Sequence, residues 1–380
     1  MNQHRPTGRV RAPALAPLAT ARTLPARCYF DRGVYERELC LVFGRTWQCV
    51  GRTDQVRSPG DYFTASVGGE PIVVVRGKDR VLRAFVNVCR HRAGDPVRGH
   101  GCADRFQCHY HGWTYALDGR LIGAPEMAGT ADFDPRAVAL TPVRVETWAP
   151  LVFVNLDGNA PPLLATLGDL PARARAHRLE SLEFADRVEY TIACNWKAYI
   201  DNFLEGYHIP RAHPGLNRVL DYKRYTVEAH GNYVLQYGPN RKPPAREADA
   251  LIAFKQRARP RRDLAGSAAL GSSYYWVFPA FMWNLSPDVA QANMIVPLDV
   301  ERTLTIFEFY YPQDQRVSKA TRQRNIAYSD AIQQEDIVIC ESVQRNLHSR
   351  SYESGRYCAG RENGLYHFHR LLRETDGLSA

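Results

Sequence analysis

No apolar run in the 380 residues is long enough to cross a bilayer, which takes about 20 residues as a helix, and no membrane partner is expected. There is no Gly-x-Gly-x-x-Gly turn and no plant-type cysteine-rich ferredoxin segment, so neither a dinucleotide site nor that kind of iron–sulfur site is expected. Cysteine is too sparse for a disulfide scaffold. The nine residues are odd in number, and no signal-peptide pattern opens the chain. A reducing, cytoplasmic setting is expected, with cysteines as buried thiols or metal ligands. Acidic residues are absent before Asp31, where Arg5, Arg9, Arg11, Arg22 and Arg27 stand among Ala and Pro. Serine is absent there too, so a disordered tail is expected rather than a transit peptide. No internal repeat and no coiled-coil heptad pattern occurs.

What is present is an ordinary globular composition, 45% hydrophobic and 23% charged, in a chain long enough for two cores. The net charge of +9 is concentrated in the tail and in "NRKPPAREADALIAFKQRARPRRD" from Asn240. Both segments are expected to be poorly ordered. A basic surface that meets an acidic partner protein is preferred to nucleic-acid binding. Asp31 is a good N-cap for a helix running toward Trp47. "DYFTASVGG", "PIVVVRG", "VLRAFVNVC" and "WTYALDGRL" are short β-rich runs broken by turn residues, and predict a small all-β unit to about Asp157. After Pro161 and Pro162, helical "CNWKAYIDNFLEGYH" and "SDAIQQEDIVICESVQRNL" mix with strand-like "YYWVFPAFMWNLS", "NMIVPLDV" and "LTIFEFYY". The expected class is α+β. A tail and helix would cover 1–44 and pack on the second domain, an all-β domain 45–160, and an α+β domain 161–380.

"NVCRHRAGDPVRGHGCADRFQCHYHGWTY" packs three cysteines and four histidines into one stretch from Asn87. Cys89 and His91 are one residue apart, Cys108 and His111 two apart, each pair at the end of a β run. Two sulfurs and two nitrogens could hold zinc, but the cysteine knuckle and helical histidine pair usual for structural zinc are missing. The pattern suits a binuclear cluster, with both thiolates on one iron and both imidazoles on the other, which raises the reduction potential. With Gly112 and Trp113 following, the stretch resembles a Rieske [2Fe–2S] domain. His100, Cys102 and His109 fall outside the pattern and are taken as bystanders.

In "NWKAYIDNFLEGYHIPRAHPG", His208 and His213 lie five positions apart, too far for one face of a straight helix. Pro210 between them would end the helix and let the chain bring His213 back beside His208. Such a pair alone is more often structural than metal-binding. In the C-terminal helix, Ile332, Asp336, Ile339, Val343 and Leu347 form a core-facing stripe. A carboxylate in that stripe needs a cation. It could be an Arg or Lys, or a metal held by two histidines and one carboxylate. Glu335 is the neighbouring carboxylate, off the stripe.

These residues, and the span from "TWQCVGRTDQV" to "ENGLYHFHRLL", resemble the catalytic α subunits of Rieske non-haem iron oxygenases. The likeness is greatest, in "TLPARCYFDRGVYERE", "NVCRHRAG" and the His208 segment, to the branch containing choline monooxygenase and the oxygenases of carnitine and betaines. The resemblance implies an antiparallel sheet flanked by helices (helix-grip, START-like) in the second domain. It implies a [2Fe–2S] cluster on Cys89, His91, Cys108 and His111, and mononuclear Fe(II) on His208, His213 and Asp336. Glu205, three residues before His208, would join that histidine to His111 of a neighbouring subunit in a homotrimer; an ordinary helix-face glutamate is the alternative. Asn202 is a further candidate beside the iron. A separate NAD(P)H-dependent flavin reductase, with or without a ferredoxin, would supply electrons. The implied reaction is C–H oxidation next to nitrogen of a quaternary ammonium or N-methyl compound. Aromatic ring hydroxylation or dioxygenation, O-demethylation, and a zinc-stabilised binding protein are the alternatives. Candidate pocket residues are Phe203, Leu216, Tyr275, Phe281 and Trp283; aromatic strands are core more often than cage. The basic segment 240–262 would be a cover over the pocket or a solvated linker.

Overall fold

The structure is a computed structural model and describes residues 16–376. It divides into two compact units, one from Phe43 to Glu183, the other joining the N-terminal segment up to Val42 with the chain from Phe184 onward.

The first unit is all-β apart from short helical turns. Its seven-stranded antiparallel sheet runs in the order Gln48–Arg52, Leu151–Asn155, Pro142–Trp148, Leu82–Val86, Glu70–Arg76, Asp61–Val67, His100–Cys102. A three-stranded sheet, Phe106–Gln107, Thr114–Tyr115 and Leu121–Gly123, carries the second Cys/His loop. The run "PIVVVRG" is apolar without alternation because both faces of its strand are covered. Ile72 and Val74 enter a core with Phe63, Val152 and Val154, whereas Val73 and Val75 enter another with Cys89, Cys108 and Trp113. The unit extends past the expected boundary at 160. Leu163, Leu167 and Leu170 are buried, and the Leu163 N–H donates to Glu146 on the strand Pro142–Trp148.

The second unit is built on another seven-stranded antiparallel sheet, ordered Leu182–Ile192, Arg302–Pro312, Ala290–Asp299, Phe281–Leu285, Gly271–Val277, Tyr233–Pro239, Thr226–His230. The helix Lys319–Leu347, capped by Ser318, lies against it. This is the helix-grip arrangement, and polar contacts hold it. Tyr190 donates to Asp330, the Asn195 N–H to Gln344, and Gln333 to Thr305. The stripe expected through Ile332, Ile339 and Val343 is therefore corrected. Val343 is 44% exposed, and the buried line runs through Asn325, Gln333, Cys340, Gln344 and Leu347. Hydrogen bonds to the sheet, rather than an apolar seam, select the inward face.

The N-terminal helix, Arg32–Glu38, starts where Asp31 accepts the Val34 N–H. It delivers Glu38 to a wholly buried ion pair with Lys197 at 2.8 Å. Glu38 also accepts the Trp196 indole N–H at 2.9 Å. Burial pushes the Glu38 carboxyl up despite Lys197. Expected disorder before Ala16 lies outside the described residues. The tail from there on is packed: Arg22 bridges to Arg356 and donates to Ser354, and Leu24 and Ala26 are buried. From Asp249 onward the basic segment after Asn240 is likewise not a solvated linker. Asp249 caps the helix Ala250–Gln256, Ile252 is buried with Val219 and Tyr328, and Lys255 pairs with Asp288 at 2.7 Å.

Candidate active site and cofactor sites

In the β unit, two loops present the four expected side chains. The Cys89 N–H donates to Gly94 and the Cys108 N–H to Trp113, closing each loop. Gly112, at φ +71°, makes the turn after His111 that other residues would strain. Gly94 is required for a different reason, since a Cβ there would stand 3.0 Å from the Cys108 sulfur. Both cysteines are buried. Burial, and then the neighbouring Cys89, hold the Cys108 thiol high against opposing backbone N–H groups. The His91 and His111 rings stand 4.5 Å apart, and His91 stacks on Trp113 at 4.9 Å. His91 Nδ1 is buried with no hydrogen-bond partner, which fits a nitrogen meant for a metal. The Tyr115 hydroxyl lies 3.3 Å from Cys89 Sγ and accepts the Arg90 N–H. His100, Cys102 and His109 are exposed and take no part in this cluster.

In the second unit the ligand segment departs from a continuous helix. The helix Trp196–Phe203, capped by Asn195, stops at Leu204, so His208 is not on it. Gly206 packs where a Cβ would meet the Tyr225 ring at 2.7 Å. Glu205 takes the His208 backbone N–H at 3.0 Å and its Nδ1 at 2.5 Å. Pro210 does not end a helix; it sits in the first turn of the next, Ile209–Ala212, where a missing N–H costs nothing. His213 follows that turn, its ring centroid 4.9 Å from that of His208.

Asp336 of the long helix completes the group. His208, His213 and Asp336 offer one ligand atom each, all within 4.8 Å of one another. Asp336 Oδ1 lies 3.0 Å from His213 Nε2 and 3.9 Å from His208 Nε2. Two ligands at right angles about one ion, each about 2.1 Å from it, stand about 3.0 Å apart, so this donor set fits a metal of the two-histidine, one-carboxylate kind. Among the described ion pairs Asp336 meets only these histidines; Asn202 donates to its Oδ1 at 2.6 Å. Glu335, off the expected stripe, accepts from His213 Nδ1 at 2.6 Å. Burial opposes charge on His213, but Asp336 and then Glu335 outweigh it and raise the pKa.

The group opens onto a cavity between the long helix and the sheet. Asn202, Phe203, Leu216 and Glu205 line it, as does Lys255 from the basic segment. The sheet wall includes a cross-strand row, Gln236, Tyr274, Asn284, Gln291 and Phe309, each paired with the next, and beside it the pair Asn293 and Phe307. Tyr275, Phe281 and Trp283 do not line it, which corrects the sequence expectation. They are one residue out of phase, and successive residues face opposite sides of a strand. Trp283 instead packs edge-on against Phe281 and Tyr310 in the core. Alternation was visible in "YYWVFPAFMWN", but both of its faces carry large side chains. Lys255 and Gln291 went unnoticed because no local pattern singles them out, and Glu335 was read only as the carboxylate beside Asp336.

Residues 46–139 match the Rieske [2Fe-2S] domain family, and residues 179–375 the ring hydroxylating alpha subunit (catalytic domain) family. The chain is 35% identical over 369 residues to the carnitine monooxygenase oxygenase subunit of Escherichia coli (strain K12), covering 93% of this chain and 94% of that one. It is 36% identical over 372 residues to the chloroplastic choline monooxygenase of Arabidopsis thaliana, covering 94% and 84%. The structure of the quaternary ammonium Rieske monooxygenase CntA in complex with L-carnitine superposes with a TM-score of 0.80 at 31% identity, over 94% of this chain and 97% of that one. The β unit is thus a Rieske [2Fe–2S] domain and the second unit an oxygenase domain of the kind that binds mononuclear iron. The chain belongs to the Rieske non-haem iron oxygenases, as a catalytic α subunit and an oxidoreductase.

Proposed function

We propose that this chain is the terminal oxygenase that hydroxylates a C–H bond next to nitrogen in a quaternary ammonium or N-methyl compound. One observation carries the reading. Two imidazole nitrogens and a carboxylate oxygen converge on the wall of a cavity, in a chain similar over nearly its whole length to carnitine and choline monooxygenases. Cys89 and Cys108 would hold one iron of the cluster and His91 and His111 the other; His208, His213 and Asp336 would hold the mononuclear iron. When bound, the cluster relays electrons and the mononuclear iron activates O2. The chain's own residues set the ligands. Glu205 and Glu335 each accept from an Nδ1–H, which leaves both Nε2 lone pairs facing the ion. Asn202 fixes the carboxylate rotamer of Asp336. Phe203, Leu216 and Tyr274 exclude water from the reacting carbon.

Electrons come from a separate NAD(P)H-dependent flavin reductase, directly or through a ferredoxin. The functional unit is a homotrimer in which Glu205 also meets His111 of a neighbouring copy. Supporting this, His111 is exposed, its ring 3.8 Å from that of Tyr110, itself 57% exposed. A cytoplasmic setting belongs to the same proposal. No helix among the described residues is long and apolar enough to cross a membrane. The test is a substrate panel with a surrogate reductase, scoring coupled O2 uptake and product. Turnover of trimethylammonium compounds is expected; oxidation of phenolic or polycyclic aromatics alone would overturn the reading. A colourless protein holding only zinc would overturn the oxygenase itself.

A further inference from the structure

The relatives act on two kinds of ammonium compound, one with a carboxylate tail and one with a hydroxyl tail, at nearly equal identity. The cavity of this chain distinguishes them. One wall is the long helix, whose Asn325, Tyr328, Ser329, Ile332, Gln333 and Asp336 recur every three or four residues along one face. Asn325 and Asp336 are eleven residues apart on that helix, about 16 Å along its axis. The cavity is therefore elongated, with the metal ligands at one end and Asn325 at the other. Lys255 belongs to the far end. Its Nζ sits on Asp288 at 2.7 Å and 2.9 Å, reaches Asn325 only over 3.5 Å, and lies 5.3 Å from the centre of the Tyr328 ring.

The sheet wall runs in step with the helix. Ser329 donates to Gln291, and Gln333 donates to Thr305, the cross-strand partner of Ile295. Asn293 therefore stands nearer the metal end than Gln291 does. Four buried polar atoms on this lining have no hydrogen-bond partner: Asn284 Oδ1, Gln291 Nε2, Asn293 Oδ1 and the Tyr328 hydroxyl. Asn293 is 1% exposed and Gln291 7%. Buried polar groups left unpaired are costly, and several on one cavity wall call for a ligand that pairs them. At the far end two donors stand unused, Gln291 Nε2 and the Tyr328 hydroxyl, beside the loosely placed third N–H of Lys255. Burial, ahead of the neighbouring Tyr274 and Asp288, keeps Tyr328 protonated and so a donor. A carboxylate, with about four lone-pair sites, accepts three donors at once, whereas a hydroxyl oxygen accepts at most two. Nearer the metal, an acceptor oxygen of Asn293 and the carboxylates of Asp336 and Glu205, all on the cavity lining, favour the positive end of the same molecule.

We propose that Lys255, Gln291 and Tyr328 form a carboxylate subsite at the end of the cavity opposite the metal ligands, selecting zwitterionic ammonium acids over ammonium alcohols. This rests on the quaternary ammonium reading above. The basic segment after Asn240 is then a specificity element, since it supplies the lysine. The probes are 4-(trimethylammonio)butanoate and 4-(trimethylammonio)butan-1-ol, which differ only in the tail. They are compared with the reductase-coupled full chain for kcat and KM, and by calorimetric binding to the resting protein. The acid is expected to be preferred at least tenfold in kcat/KM. Tyr328→Phe and Gln291→Leu should each reduce that preference about tenfold through KM, with kcat for the acid retained, because the lost hydrogen bond acts equally on ground and transition states. Lys255→Met strands Asp288, so K255M/D288L is made beside it, and both should abolish the preference. Equal use of the two compounds, or a preference unmoved in Tyr328→Phe and Gln291→Leu, overturns the subsite while leaving the ammonium reading intact. If neither compound binds or turns over and aromatic substrates do, the underlying reading has failed and the subsite with it.

Discussion

The two adjacent carboxylates of the long helix can be told apart by changing each to its amide. Glu335 does not reach the metal position; it holds His213 from the outer side at 2.6 Å. Replacing such an outer partner typically costs about ten- to a hundredfold in metal affinity, or about 1.4–2.7 kcal/mol. Glu335 is 37% exposed while His213 is buried, so solvent screens the charge that Glu335→Gln removes, and the amide oxygen can still accept the Nδ1–H. The expected loss is therefore at the lower end, about tenfold. Asp336→Asn removes an anionic ligand atom and leaves an amide Nδ2 or a neutral oxygen toward the ion. Iron affinity there should fall by well over a hundredfold, roughly 3 kcal/mol or more. The assay is anaerobic Fe(II) titration after selective chelation of the mononuclear site, read by competition with a chromogenic chelator. The visible spectrum of the cluster serves as the control for folding. If Glu335→Gln abolished iron binding and Asp336→Asn left it within tenfold, the two carboxylates would exchange roles and the ligand assignment would be wrong.

Cys89→Ser should lose the visible absorption of the cluster and its two irons while the mononuclear site still titrates with Fe(II), because the two sites are built in separate compact units; loss of both together would contradict this. Lys197→Met leaves Glu38 buried and uncompensated and should destabilise by about 3–5 kcal/mol in urea unfolding. The double variant K197M/E38L should recover most of that, and a single variant as stable as wild type would refute the role given to the pair. Asn284→Leu should raise KM with little change in the unfolding midpoint, whereas Phe281→Ala, a core change, should cost about 3–5 kcal/mol of stability; the reverse pattern would mean that the sheet faces have been misassigned. Asp249→Ala removes the cap of the helix Ala250–Gln256 and should speed tryptic cleavage between Arg257 and Arg262, reflecting a loss of about 1 kcal/mol. Cleavage at the wild-type rate would show that the segment is held by other contacts.

Local chemistry was the legible part of this chain. Cys89-x-His91 and Cys108-x-x-His111 identify their site because the ligands of each half sit in one loop, and a loop's residue spacing survives folding. The histidine pair was legible as a pair, although for an incomplete reason. Pro210 was read as a helix end, whereas the helix stops at Phe203 and Glu205 ties the intervening turn to His208. Asp336 was reached through a stripe that does not exist as drawn, since the long helix buries amides against the sheet rather than aliphatic side chains. Periodicity could locate the inward face only to within one residue, and Glu335 and Asp336 both fall within that margin.

The linear order of residues alone determined the two kinds of metal chemistry, the succession of an all-β and an α+β unit, and the cysteine and histidine pairs offered as donors. Each of these depends on short-range spacing or on the character of consecutive runs. Tertiary structure alone decided what surrounds those donors. It set which face of the aromatic strands meets the cavity, which carboxylate lies inside and which outside His213, and that Lys255 from a basic surface-like segment is buried against Asp288. Those choices are made by contacts between residues tens to more than a hundred positions apart, and no local pattern encodes the pairing of one element's register with another's.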